Sequence, residues 1–394
     1  MKNSTSIKRL SFCIMTCLYW YATYTYVSYL SYYGRNLGGT STLVGIMIGS
    51  YGFAQLLLRI PIGILSDKLH NRRLFIRLGC FFAMFSAICF YFSRNIYHLI
   101  FSRILSGFAA SAWVSITVLY NSYSAPNQSA QAMASISGWN LCGQLLGSST
   151  ALFAVERFGV RSLFVFAAIG GFISFIMSLF IDESDTDKKP LTFSELLSVG
   201  KTRWVLACST IGMITQLLCY ATVTGFTPDI ASSLGASSEQ LSLIMLITTF
   251  SGIVFSFVGE KLLIKKPSLY YYVMLSLVAM SITTVLQVYA SSLALLYTAV
   301  AIFGFFRGAS MSLLMTLVIK PFSKDHQAAS MGFYQAFYSL GIICGPTIVG
   351  SINDTYGMRP AFIICACIGV ASIILCAVTL NDKKLKKAID KEHM

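Results

Sequence analysis

The sequence predicts an all-α integral membrane protein whose twelve transmembrane helices form two pseudo-symmetric six-helix bundles, and three observations carry that expectation. Of its 394 residues 56% are apolar and only 11% are charged, far below the ~25% charged share of a soluble globular chain, so a water-facing surface cannot be built from them. Apolar stretches of roughly 20 residues, the length that crosses about 30 Å of hydrocarbon, recur from end to end. The chain also repeats itself at about half its length.

The spans fall near 10–33, 41–63, 74–93, 97–120, 130–155, 161–181, 204–227, 238–259, 268–290, 293–319, 327–351 and 360–380, which leaves no room for an extramembrane domain. Span 1 follows Lys8 and Arg9 as a signal peptide would, but it is too long and too aromatic and lacks a small-residue cleavage site, so it is expected to be retained. The expected organisation is an amino-terminal bundle over 1–181, a central linker over 182–203, a carboxy-terminal bundle over 204–380 and a basic tail over 381–394. The linker opens with the charged run 182–190; its next part, 191–199, reads equally as a short interfacial helix or a loose loop. Gly200-Lys201-Thr202 looks like the end of a P-loop, but Glu195 stands where Walker A needs glycine, so nucleotide binding is not expected.

Charge then gives orientation. The 29 Lys and Arg outnumber the 15 Asp and Glu, for a net charge of +14, which in a soluble protein with one basic face would point to nucleic acid. Here Arg35, Arg94, Arg157, Arg161 and Arg359 lie in loops on one side, Arg59, Arg103 and Arg307 lie within spans, and the rest fall on the side of the termini. Positive residues mark the cytoplasmic side, so both termini are expected in the cytoplasm and the protein in the plasma (inner) membrane. The cations therefore signal topology, and nucleic acid is not an expected partner. The 11 cysteines have no disulfide or zinc spacing; Cys13 and Cys17, one turn apart, read as packing residues. The histidines are far apart in sequence, so the chain is not expected to be an enzyme and no cofactor or metal is expected.

The repeat has an offset of about 197. Leu37-Gly38-Gly39-Thr40 before span 2 corresponds to Leu234-Gly235-Ala236-Ser237 before span 8, and Glu156-Arg157-Phe158-Gly159 after span 5 to Asp354-Thr355-Tyr356-Gly357 after span 11. Gly143 and Gly147 correspond to Gly341 and Gly345. Six spans are duplicated in parallel.

The turn after span 2 reads Gly63-Ile64-Leu65-Ser66-Asp67-Lys68-Leu69-His70-Asn71-Arg72-Arg73. It resembles the signature of the major facilitator superfamily, matching at Gly63, Asp67, Lys68, Arg72 and Arg73, while His70 replaces the usual second glycine and Asn71 an expected cation. A degenerate copy after span 8 begins Glu260-Lys261. Glycine at 63 permits close approach of a neighbouring helix, and an acid at a span's end can pair with cations or a helix N-terminus. The resemblance implies that Asp67 and this turn lock the two halves on the cytoplasmic side and release as they rock; otherwise the basic residues only anchor the topology.

Ionisable groups inside a membrane are costly and default to functional candidates. Arg103, within Arg103-Ile104-Leu105-Ser106-Gly107, resembles the family's Arg-x-x-x-Gly element, which is implicated in proton coupling. Arg307, between Gly304 and Gly308 in span 10, is too deep to snorkel and is expected to face a cavity; Arg59 either lines the path or reaches the cytoplasmic edge. Guanidinium groups without a nearby acid favour a ligand bearing carboxylate, phosphate or sulfate. Tyr24 and Tyr26 fall at mid-depth in span 1, and Asn140 and Gln216 are amides within spans 5 and 7. These act either as interhelical glue or as hydrogen-bonding partners of a ligand.

Along the chain the resemblance is to the family's small-molecule exporter branch, which implies a secondary transporter exporting a small organic molecule by proton exchange. Two features depart from it: the Gly-Pro pair of antiporters, expected in span 5, occurs instead as Gly345-Pro346 in span 11, and span 1 carries no acid. Proton-linked uptake of an organic anion is the alternative, and a transporter-shaped sensor that moves nothing is another.

Overall fold

The computed structural model describes residues 2–124, 129–183, 198–263, 269–322 and 324–380. Regular structure among them is helical and forms twelve segments. Span 1 is Lys2–Tyr24 continued by a 3-10 turn, Val27–Tyr29, and a helix, Leu30–Asn36; span 2 is Ser41–Lys68 and span 3 Arg72–Tyr91. Span 4 is Ile96–Ser111 followed by Trp113–Ser122, span 5 is Ser129–Phe158 and span 6 Ser162–Leu179. Span 7 is Arg203–Ala221, a π turn, Thr222–Phe226, and a helix, Thr227–Ser233. Spans 8 to 12 are Leu241–Leu263, Leu269–Val288, Leu293–Ile319, Lys324–Tyr356 and Met358–Thr379. Among the described residues nine candidate spans are long and apolar enough to cross a membrane, with a shorter apolar stretch at Leu241–Phe255 in span 8. Spans 1 and 5 fall outside that set because tyrosines in one, and amides and hydroxyls in the other, lower the mean hydropathy.

The apolar runs predict spans 1 and 7 as uninterrupted helices ending near 33 and 227; both are broken, and both run further. Thr25 Oγ1 donates to Tyr21 O at 2.6 Å and Thr222 Oγ1 to Leu218 O at 2.7 Å. Tyr21 O and Leu218 O also accept the backbone N–H of Thr25 and Thr222, so at each break a threonine hydroxyl adds a second donor to the carbonyl of the last regular turn, a bond that bends helices. Thr25 and Thr222 are 197 positions apart, so the breaks are copies of each other.

Packing carries the same duplication. Spans 1 and 5, 2 and 4, and 3 and 6 pack together in the first half; their counterparts, spans 7 and 11, 8 and 10, and 9 and 12, do so in the second. Small residues set these approaches. A Cβ on Gly143 would collide with Cys17 O of span 1, and one on Gly341 with Met213 O of span 7. Interhelical contact without a side chain between is how spans gain van der Waals energy in lipid, where the hydrophobic effect does not drive association. The positive-φ glycines among the described residues are Gly38, Gly159, Gly235 and Gly357, at φ of 73 to 87°. All four fall in the repeated loop motifs, where a left-handed residue ends the preceding helix.

The halves meet chiefly along spans 2 and 11 and along spans 5 and 8. Backbone atoms of Pro346 and Ile343 lie where a Cβ on Gly45 or Gly49 would fall. At the end opposite the termini the halves are clasped: Arg35 pairs with Asp229, Ser31 also donates to Asp229, and Asp354 accepts from the first turn of span 2.

Candidate functional site

A cavity lies between the halves at the level of the two helix breaks. From the first half it is lined by Thr23, Tyr24 and Val27 of span 1, Tyr51 of span 2 and Arg103 of span 4. From the second come Cys219, Tyr220 and Thr224 of span 7, Met245 and Thr248 of span 8 and Arg307 of span 10. Its free space is about 10 Å³, room for about one water, so an organic ligand requires the halves to part.

Each cavity arginine is held by a glycine contact of its own helix. Gly107, one turn after Arg103, has Tyr51 O and the Ala54 methyl where its Cβ would be. Span 4 therefore closes on span 2, and the Arg103 guanidinium lies 4.2 Å from the centre of the Tyr51 ring. Gly304 and Gly308, flanking Arg307, press on Thr248 and Gly252 of span 8 in the corresponding helix pair. The Arg-x-x-x-Gly spacing is thus also a packing device that fixes where the guanidinium sits.

Arg103 is 2% exposed, with Nη1 3.4 Å from Ser106 Oγ and, among the described residues, no partner for Nε. Arg307 Nε is also buried without a partner among the described residues. Tyr51 stacks on Tyr220 at 6.2 Å and 20°, so an aromatic contact spans the two halves across the cavity. No Asp or Glu among the described residues lines it.

Of the residues expected at the site, Tyr24, Arg103 and Arg307 line the cavity, and four others do not. Tyr26 is fully buried against Phe90 and Phe164, with ring centroids 4.7 and 5.6 Å away. It sits in the turn that breaks span 1, after the helix has ended at Tyr24, with its hydroxyl beside Arg103. Asn140 accepts from Gln144 Nε2 at 2.7 Å within span 5. Gln216 is buried one turn before Cys219 and Tyr220, its Oε1 unpartnered among the described residues. Arg59 crosses to span 11 instead: Nη1 donates to Tyr338 OH at 2.7 Å and Gln335 O at 3.3 Å. Tyr220, Thr224, Met245 and Thr248 were not legible as cavity residues, because their types are ordinary for a span interior.

At the turn after span 2 the departures from the family signature have local causes. His70 occupies the left-handed region at φ 47°, the conformation glycine adopts most easily. Asn71 caps span 3, its side chain accepting from Leu74 N at 3.1 Å. Arg73 N donates to Glu183 Oε2 at 3.0 Å, and its Nε lies 3.7 Å from the same oxygen. Gly63 does not mediate the expected close helix contact, since a Cβ there would meet only Val114 Cγ1 at 3.8 Å. Lys68 ends span 2 and Arg72 is buried; the side chains of Asp67, Glu260 and Lys261 lie outside what is described. Nearby, the Lys8 ammonium, 2.6 Å from Asp182, holds that carboxyl below the usual carboxylate range.

Two six-helix bundles related by duplication, with a cavity between them at mid-depth, define a membrane transporter fold. The chain belongs to the Major Facilitator Superfamily, whose profile matches residues 12–271 and 210–393. It is 23% identical over 374 residues to the quinolone resistance protein NorA of Staphylococcus aureus, covering 93% of this chain and 94% of that one. It is 28% identical over 180 residues to an uncharacterized transporter of Buchnera aphidicola, a match that spans 46% of that relative's length. Among solved structures, the nucleoside transporter NupG superposes with a TM-score of 0.81 at 14% identity, covering 95% of this chain and 100% of that one. The human organic anion transporter MFSD10 gives 0.72 at 15% identity, covering 94% and 99%. The protein is a multi-pass membrane transporter and not an enzyme.

Proposed function

We propose that the protein exports a small organic molecule across the plasma membrane by alternating access, driven by proton exchange, with both termini in the cytoplasm. The observation that supports this most is the cavity between the halves, where Tyr24, Arg103 and Arg307 meet. Similarity to a quinolone resistance protein along 93% of the chain supports the export direction. In this reading 1–181 and 204–380 are the rocking bundles, 182–203 joins them and 381–394 is a cytoplasmic tail. Asp67 with Gly63, Lys68, Arg72, Arg73, Glu260 and Lys261 forms the cytoplasmic gate. Arg59, Tyr26, Gln216 and Asn140 support the walls of the path.

Proton-linked uptake of an organic anion is a second reading, favoured by two cavity guanidinium groups with no carboxylate beside them. Flux in proteoliposomes under an imposed pH gradient, with anionic and cationic compounds, decides between the two. Arg307→Ala and Asp67→Asn should each lower it at least tenfold. Equal flux in all variants would remove the site and gate assignments, and flux insensitive to the pH gradient would remove proton coupling.

A further inference from the structure

The cavity holds two formal positive charges and, among the described residues, nothing to neutralise them. Arg103 comes from span 4 of the first half and Arg307 from span 10 of the second. The Tyr51 ring beside Arg103 offers only its quadrupole, the Ser106 contact is long, and the Tyr26 hydroxyl beside Arg103 is a neutral dipole. Asp229, the acid of span 7, is committed to Arg35 and Ser31. The glycines beside the two arginines pack spans 4 and 10 onto spans 2 and 8, which fixes the depth from which both side chains reach into the cavity. An uncompensated buried charge is among the most costly features a protein interior can carry; Arg103 is 2% exposed, and Arg307, half-buried, has its Nε buried without a partner among the described residues.

A single negative charge would leave one guanidinium unpaired, and because the closed cavity holds about one water's volume, two separate organic anions would force the halves further apart than one ligand carrying both charges. We infer that the cavity takes one small organic dianion, a phosphate monoester or a dicarboxylate, gripped by Arg103 from one half and Arg307 from the other. Both ligand classes present oxygen pairs that a guanidinium fork matches. The hydroxyls of Thr23, Thr224 and Thr248 and the rings of Tyr24 and Tyr220 surround the rest of the ligand. Because each half supplies one guanidinium, the dianion also supplies the attraction that lets the halves close on it. The inference rests on reading this cavity as the substrate site, and leaves the direction of transport open.

The test is equilibrium binding to the purified full-length protein in nanodiscs, with phenyl phosphate, succinate, benzoate and tetraphenylphosphonium as probes. At least one of the two dianions should bind tenfold or more tightly than benzoate, and comparing them decides between phosphate monoester and dicarboxylate. If phenyl phosphate is the binder, its affinity should rise about tenfold from pH 5 to 7.5 as its second ionisation, near pH 6, is completed, while benzoate changes little. Arg103→Gln and Arg307→Gln should each erase the preference for the dianion, and Arg307→Lys should keep part of it, with thermal melting showing that all three fold. Benzoate or tetraphenylphosphonium binding as well as both dianions, absence of dianion binding at millimolar concentration, or dianion binding unchanged in both Gln variants would overturn the inference. Flux of cations without dianion binding overturns it and spares the transporter reading; dianion binding without flux does the reverse.

Discussion

Arg35 and Asp229 form an ion pair across the two halves, with Nε 2.6 Å from Oδ2, at the end of the molecule opposite the termini. Each stands on the short helix beyond a break, Leu30–Asn36 or Thr227–Ser233. The guanidinium also donates to Ser41 Oγ at 3.0 Å, which in turn accepts from Asn353 Nδ2 at 2.7 Å. The closed end is therefore held by a connected network.

Asp229→Asn should weaken that clasp and favour the conformation open at this end. Cavity-lining Cys219 reports it: alkylation by a membrane-impermeant sulfonate reagent, located by mass spectrometry in right-side-out vesicles, should rise several-fold. Exchanging the pair, Arg35→Asp with Asp229→Arg, should bring labelling back toward the original rate. Unchanged labelling in Asp229→Asn would show that the pair does not hold this end shut.

Asp354 takes Ser41 N at 2.9 Å and Thr42 N at 2.8 Å, capping span 2 from the other half. A helix start offers unsatisfied N–H groups and positive potential to an anion, and losing a cap costs about 1 kcal/mol. Asp354→Ala should lower the melting temperature in detergent by a few degrees and, because the cap bridges the halves, raise the Cys219 labelling rate as well.

Glycines of similar appearance should behave oppositely. Gly341→Ala forces a methyl into Met213 O, and overpacking of this kind costs roughly 1–3 kcal/mol. Gly138 has nothing within 4 Å of the added carbon, so Gly138→Ala should match or slightly exceed the parent. Comparative thermal melts of the purified variants decide.

His70→Gly should be neutral or stabilising by up to about 1 kcal/mol, because the site is left-handed and a non-glycine residue is strained there. Asn71→Ala should cost about 1 kcal/mol through the lost cap on span 3. Melting curves of both variants test the two local explanations for this turn's departure from the family signature.

Much of the fold was legible because lipid imposes a length and an apolarity on each span, and the duplication left matching loop glycines at both offsets. Arg103 and Arg307 stood out because charge is rare at that depth. The helix breaks did not: Thr25 and Thr222 lie in apolar runs, and nothing in hydropathy distinguishes a threonine that bonds its own helix. Tyr24 and Tyr26 look alike in composition, but one ends the helix and faces the cavity while the other lies in the break, where the turn lays it against Phe90. Arg35 reads as an isolated loop charge, since no local pattern links it to Asp229, 194 positions away.

The two helix breaks place the cavity and the clasp on opposite ends of the same short levers. Thr23, Tyr24 and Val27 border one break and Cys219, Tyr220 and Thr224 the other. The helices above carry Arg35 and Asp229, and each, at 7 residues, is only about 10 Å long. A movement that widened the pocket at these elbows would reach the ion pair through two turns of helix, so pocket and latch share one joint and need no relay through the bundles.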